Sequence, residues 1–238
     1  MCGQGRLGDA RNAVAIAPYL KTVGVIPASG ASRRMGQPKA ALKLNGRSFI
    51  QRVVDALRDG GCDEVMVVVP EHDDAIGFAA RETGARLLVN TNPGEGPITS
   101  LRLAIESLPD DVEAIAWLPL DYALVDARIV RTLLGIATAD AAPLVIPLHE
   151  YSVDGTPREK RGHPAIFARA LFAELADPAL EGGARAVVHH HLASAALWRV
   201  RDPRVVTDID TPEQYAAVIA GQMQYTDETT TGSKERRT

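Results

Sequence analysis

The sequence predicts an α/β fold: a three-layer α/β/α sandwich around a mostly parallel sheet. Three observations predict it. Val65–Met66–Val67–Val68–Val69 and Ala114–Ile115–Ala116–Trp117–Leu118 are unbroken apolar runs of strand length, as in strands buried on both faces. Between such runs, apolar residues recur at helical spacing. The two patterns alternate along residues 21–221, as they do when parallel strands are joined by crossover helices.

In chain order, Val23–Gly24–Val25–Ile26 is the first strand. Ser48 to Gln51 reads as a capping box, and Phe49, Ile50, Val53, Val54 and Leu57 follow it at helical period. Gly60–Gly61 stops that helix. Pro70 ends the Val65–Val69 strand. A helix follows around Asp74–Thr83, and Arg86–Leu87–Leu88–Val89 is another strand. The next helix spans about Pro97–Ser107, and the Ala114–Leu118 strand runs into Pro119–Leu120–Asp121. Asp126 caps a helix marked by Ile129, Val130, Leu133 and Leu134, and Leu144–Pro147 is a further strand. The region from about Glu150 to Arg201 is less regular and reads as a subregion over the sheet. Residues 1–20 read as an N-terminal extension, 21–221 as a single domain, and the polar 222–238 as a disordered tail.

Composition narrows the function classes. The chain has 238 residues, 46% hydrophobic and 24% charged, with a net charge of -4. These values exclude a disordered, collagenous or coiled-coil chain and disfavour a nucleic-acid partner, which needs a basic surface. No apolar stretch reaches the roughly 20 residues of a membrane span, so no membrane partner is expected. Cys2 and Cys62 are too few for a disulfide framework or a cysteine zinc site. Cys62 reads as a buried free thiol, which suits the cytoplasm.

In open sheets of this kind, ligands bind beyond the carboxyl ends of the strands. Ile26 is followed by Pro27–Ala28–Ser29–Gly30–Ala31–Ser32–Arg33–Arg34–Met35–Gly36–Gln37–Pro38–Lys39. Small residues let backbone amides approach an anion, and Arg34 and Lys39 add positive charge. At an effective dielectric near 20, one cation about 4 Å from a phosphate charge is worth roughly 4 kcal/mol, so two cations plus amides suffice for a triphosphate. The loop is neither a Walker A loop nor the Gly-x-Gly-x-x-Gly dinucleotide fingerprint, which disfavours a hydride-transferring oxidoreductase.

The string Ala28-x-Gly30-x-Ser32-x-Arg34–Met35–Gly36-x-Pro38–Lys39, directly after the first strand, resembles the signature of MobA-like nucleotidyltransferases. These include enzymes that attach CMP or GMP to molybdopterin and are related to sugar-phosphate and methylerythritol-phosphate nucleotidyltransferases. The resemblance runs from about Val23 to Ile219. It implies the nucleotide-diphospho-sugar transferase type of fold and an EC 2.7.7 activity, with NMP moving from an NTP to a phosphate-bearing acceptor. It further implies that Ala28, Ser29, Gly30 and Gly36 belong to the nucleotide site and that Arg34 and Lys39 grip the β- and γ-phosphates.

Further segments carry the same resemblance. Asn90-x-x-x-Gly94–Glu95–Gly96–Pro97–Ile98–Thr99–Ser100 is similar to the second nucleotide-binding segment, which puts Asn90, Gly96 and Ser100 near base and ribose. Asp121 stands at the strand end where the family holds Mg²⁺ against the α-phosphate. One or two carboxylates with phosphate oxygens satisfy magnesium. Tyr122–Ala123–Leu124 departs from the usual Gln-Pro at the next positions. Gly162–His163–Pro164 is similar to a segment over the acceptor pocket of cytidylyl-type members, and Arg185 lies in a Gly- and Arg-rich segment near the acceptor. Asp208–Ile209–Asp210–Thr211–Pro212 matches the closing motif. Thr211, Pro212 and Gln214 explain a helix start; the alternating aspartates supply the second metal ligand, Asp210 first and Asp208 as the alternative. His189–His190–His191 cannot all point one way and have no carboxylate at ligand spacing, so they read as a helix end or loop. The lead is CTP with molybdopterin as acceptor. The alternatives are a sugar- or alcohol-phosphate acceptor, and a nucleotide-binding regulatory protein without turnover.

Overall fold

The apolar runs become strands because each alternates its side chains between two helical layers. In the computed structural model, which describes residues 19–29, 35, 36, 38–70 and 74–221, β1 (Thr22–Pro27) is the centre of this arrangement. A short hairpin, β2 (Lys43–Leu44) and β3 (Arg47–Ser48), leads into α1 (Phe49–Gly60). Ser48 caps α1 by accepting from the Gln51 amide at 3.3 Å. The Gln51 side chain does not complete the expected capping box; it donates to Asp55 at 2.7 Å, one turn on. Gly61 ends the helix at φ 111°.

β4 (Glu64–Pro70), α2 (Asp74–Arg81) and β5 (Arg86–Asn90) follow, then α3 (Pro97–Glu106) and β6 (Ala114–Trp117). Asp126 accepts from the Arg128 and Ile129 amides and starts α4 (Ala127–Asp140). β1 pairs in parallel with β4 on one side and β6 on the other, with Val25 opposite Met66 and Trp117. β4 pairs in parallel with β5.

The region after Glu150 lies over the sheet only in part. Its helices cover one face, and its strands extend the sheet itself. β7 (Leu144–Val153) is ten residues long and forms an antiparallel hairpin with β8 (Thr156–Arg161). β9 (Ala165–Ala168) inserts antiparallel between β6 and β7. After α5 (Phe172–Ala176) and α6 (Ala184–His190), β10 (Ala196–Val200) adds in parallel to the far edge of β7. The last helix is α7 (Pro212–Ile219). The large sheet therefore has the order β10-β7-β9-β6-β1-β4-β5, with β8 on β7.

Two cores result. Ile26, Val65, Val67 and Val69 point to one face and meet Phe49, Ile50 and Val53 of α1, Ile76 of α2 and Leu133 of α4. Val23, Val25, Met66, Val68 and Trp117 point to the other and meet Leu101 of α3, Phe172 and Leu175 of α5, and Val187 of α6. The three layers and the mostly parallel sheet are as the sequence predicts. The Cys62 thiol is buried and free, and burial pushes its pKa up to about 12. No helix among the described residues is long and apolar enough to cross a membrane. The readings of residues 1–18 and 222–238 lie outside the described residues.

Candidate active site

The segments that follow β1, β5 and β6 open into a cleft of about 1490 Å³. Pro27, Ala28 and Ser29 line it, as do Gly96, Pro97 and Ile98 at the start of α3. Ala28 is held by its amide on the Val68 carbonyl at 2.8 Å. Gly96 precedes α3 at φ 94°, a left-handed conformation that glycine adopts without steric cost. Asn90 and Ser100 are buried behind the lining. The Asn90 amide donates to Thr99 Oγ1 at 2.9 Å and Ser100 Oγ at 3.0 Å, and Ser100 Oγ meets Ser29 Oγ at 3.0 Å. These two residues thus brace the loop, with their polar atoms turned to one another and not to the cleft. Gly36 is exposed and outside the lining. Gly30 and Arg34 lie outside the described residues.

Asp121 follows β6 and reaches the same cleft as Lys39 and Asp210. Its turn is fixed by the Tyr122 amide on the Pro119 carbonyl at 3.1 Å and by Arg52 of α1, whose Nε donates to the Ala123 carbonyl at 2.9 Å. The closing motif is tied to it directly: the Ile209 amide donates to the Asp121 carbonyl at 3.0 Å. Ile209 is fully buried, which sends Asp208 and Asp210 to the opposite side of the strand-like segment. Thr211 and Gln214 form the expected capping box of α7, and Gln214 Oε1 also accepts from the Asp210 amide at 2.7 Å. The helix start therefore aims the aspartate.

Asp121, Asp208 and Asp210 each offer a carboxylate oxygen, all within 4.8 Å of one another. Both aspartates of the closing motif take part, where one was expected. Lys39 Nζ pairs with Asp210 Oδ1. Burial pushes the Asp121 carboxyl up to about 6; Lys39 opposes the rise, and the Asp210 and Asp208 charges add to it. Asp121 Oδ1 is buried with no hydrogen-bond partner. Such an orphaned carboxylate oxygen is costly unless something positive approaches it. Three hard oxygen donors around it suit a divalent cation such as Mg²⁺.

His163 and Arg185 both line the cleft. Burial pushes the His163 pKa down to about 4, so the ring is neutral at pH 7 and offers a dipolar contact, not an ionic one. Tyr122 packs against it with ring centroids 4.5 Å apart. The departure at Tyr122 is thus an aromatic contact to His163. The His163 amide donates to the Val205 carbonyl at 2.7 Å, and a Cβ on Gly162 would lie 2.1 Å from that oxygen. Gly162→Ala should therefore push the loop off Val205 and lower stability by about 1–3 kcal/mol. Urea unfolding checks it, and an unchanged midpoint would remove the close approach from the account.

Sequence reasoning did not single out three cations of the lining, Arg102, Lys160 and Arg161. Arg102 sits one turn after Ile98 on α3, and its buried Nε has no partner. Lys160 donates to the Val206 carbonyl at 3.0 Å. The available signal was the charge run Arg158–Glu159–Lys160–Arg161, which falls on the exposed strand β8.

The profile of the MobA-like NTP transferase domain matches residues 24–196. The chain belongs to that family. Among its relatives, Nicotine blue oxidoreductase of Paenarthrobacter nicotinovorans is 29% identical over 195 residues, 80% of this chain and 93% of the relative. The Probable molybdenum cofactor guanylyltransferase of Mycobacterium avium strain 104 is 26% identical over 175 residues, 72% of this chain and 81% of the relative. The crystal structure of Rv0371c from Mycobacterium tuberculosis H37Rv superposes with a TM-score of 0.69 at 24% identity, over 84% of this chain and 98% of that one. The fold is thus shared with that structure.

Proposed function

We propose that this MobA-like chain is a nucleotidyltransferase that moves CMP from CTP to a phosphate-bearing acceptor, with molybdopterin as the leading acceptor. The observation that carries the reading is the meeting of Lys39, Asp121, Asp208 and Asp210 at the strand ends of one cleft. A chain that merely binds a nucleotide needs no such cluster. Asp121, Asp208 and Asp210 would hold Mg²⁺, which supplies positive charge against the α-phosphate.

The chain's own residues do the rest. Ala28, Ser29 and Gly96 offer close backbone approach for base and ribose. Lys39, which pairs with Asp210 in the structure, would neutralise the triphosphate beside that carboxylate. The Arg34 side chain, by resemblance, joins it on the β- and γ-phosphates. Arg185, Arg102 and His163 place the acceptor. An acceptor phosphate oxygen bonds to the α-phosphorus while the bond to the bridging oxygen breaks, and pyrophosphate leaves with the electron pair. The attacking oxygen is already anionic, so no base is required, and the rate comes from alignment and electrostatics.

A second reading has one observation in its favour: a relative matched over 93% of its own length bears the name Nicotine blue oxidoreductase. Hydride transfer has no use for three clustered carboxylates, and the first loop has no dinucleotide fingerprint. A thermal-shift titration separates the readings. CTP, GTP, ATP, UTP and NADPH are each added with and without Mg²⁺. CTP with Mg²⁺ should give the largest rise, since a ligand at 100 times its Kd stabilises by about 2.7 kcal/mol. A larger rise with GTP would replace the nucleotide. A rise with NADPH alone would replace the reaction.

A further inference from the structure

The histidine run at the end of α6 has a partner that its sequence neighbourhood does not show. Glu174 of α5 is separated from it by more than a dozen residues, yet folding places its carboxylate against two of the three rings. His190 Nδ1 lies 3.0 Å from Glu174 Oε1, and His191 Nε2 lies 2.6 Å from Glu174 Oε2. The two imidazoles are 4.7 Å apart, centroid to centroid, at 45°. One ligand atom from each of the three residues lies within 4.8 Å of the others.

We propose that Glu174, His190 and His191 form a second metal site, for a transition metal ion of the Zn²⁺ type. Two imidazole nitrogens and one carboxylate make a donor set that suits Zn²⁺ and its neighbours, whereas Mg²⁺ prefers oxygen donors alone. A tetrahedral zinc ion holds such donors about 2.0–2.2 Å away, hence about 3.3 Å from one another, with one position left for water. The His190 separation, to Oε1, lies near that spacing; the His191 separation, to Oε2, is shorter, so that ring must draw back to admit an ion. The ion replaces the protons that the rings now share with the carboxylate. The side chains of His191 and Glu174 are 25% and 31% exposed and that of His190 73%, so an ion can enter from solvent.

The site also has a structural consequence. Glu174 is on α5, whereas His190 ends α6 and His191 caps it. The opposite end of α6 carries Ala184 and Arg185 into the cleft lining. An ion held at the histidine end therefore ties that lining to α5.

The test uses the full chain without a polyhistidine tag, with Mg²⁺ in large excess to fill the oxygen-rich cluster. Co²⁺ is titrated as the spectroscopic probe and Zn²⁺ by calorimetry. One equivalent of Co²⁺ should give the visible bands of a tetrahedral site, and Zn²⁺ should abolish them. Outer partners of metal ligands are commonly worth about 10–100-fold in affinity, so loss of a ligand should cost at least that. His191→Ala and Glu174→Gln should each weaken Zn²⁺ by about 100-fold or more while circular dichroism stays unchanged. Asp121→Asn should leave this binding intact. The proposal is overturned if wild type shows no such bands, if the His190→Ala/His191→Ala double variant binds as wild type does, or if Asp121→Asn removes the binding.

Discussion

Asp121→Asn should lower pyrophosphate release by about 10³-fold or more and, at the same time, stabilise the metal-free protein at neutral pH. The two effects have one cause. The carboxyl is held in a buried place beside two other carboxylates, with its pKa pushed from 3.8 up to about 6. Its folded-state pKa exceeds its unfolded one, so the folded state keeps the proton longer. Stability from this group is fully present below about pH 4 and is lost as pH rises through about 6. A shift of about two units corresponds to about 3 kcal/mol. Asparagine carries no charge and escapes that loss. Urea melts without Mg²⁺ should show the variant more stable at pH 8 and no more stable at pH 4. Equal stabilities at pH 8 would mean that the carboxylate is not strained by its surroundings. A near-wild-type rate would remove it from the mechanism.

Lys39→Ala has the second large effect. The ammonium group and Asp210 are both mostly buried, with side chains 13% and 15% exposed. Breaking such a pair from one side leaves a charge without its counter-ion and costs on the order of 3 kcal/mol. Without Lys39 the acidic cluster has a greater need for a cation. Divalent-ion affinity should therefore rise while turnover falls by about 10²–10³-fold, the scale of losing one charge-stabilising donor. Isothermal titration with Mn²⁺ and a pyrophosphate assay read the two quantities separately. Turnover within threefold of wild type would confine Lys39 to a structural role. Weaker ion binding would mean that it organises the acids and does not compete for them.

How far these residues were legible in the sequence depends on how local their signals are. β1, β4 and β6 are continuous apolar runs, and their identity needs no knowledge of the fold. β8 is Thr-Pro-Arg-Glu-Lys-Arg, exposed along its whole length, and β9 is only Ala-Ile-Phe-Ala. β8 has no apolar residue to mark a buried face, and β9 follows a Gly-His-Pro turn with no crossover helix before it, so both pass for irregular chain until their neighbours are known. Lys39 and Asp121 announce themselves by position after strands. Asn90 and Ser100 share that position but turn their polar atoms to each other, which spacing does not reveal. Arg102 and the partnership of Glu174 with His190 and His191 depend on helices brought together only by packing. The aspartates at 208 and 210 were readable as a pair, but their joint approach to Asp121 is set by buried Ile209 and by Gln214.

The insertion of β9 sets an order of assembly. It is hydrogen-bonded to β6 on one side and to β7 on the other, yet it follows both along the chain. A growing polypeptide that has not reached residue 165 holds two sheet fragments with no shared neighbour. The sheet becomes continuous only when this late strand slides between them. Asp208 and Asp210 come later still. A nascent or truncated chain can therefore carry Lys39 and Asp121 without any capacity for the complete acidic cluster. The cluster is complete only once residue 210 has been added to the chain.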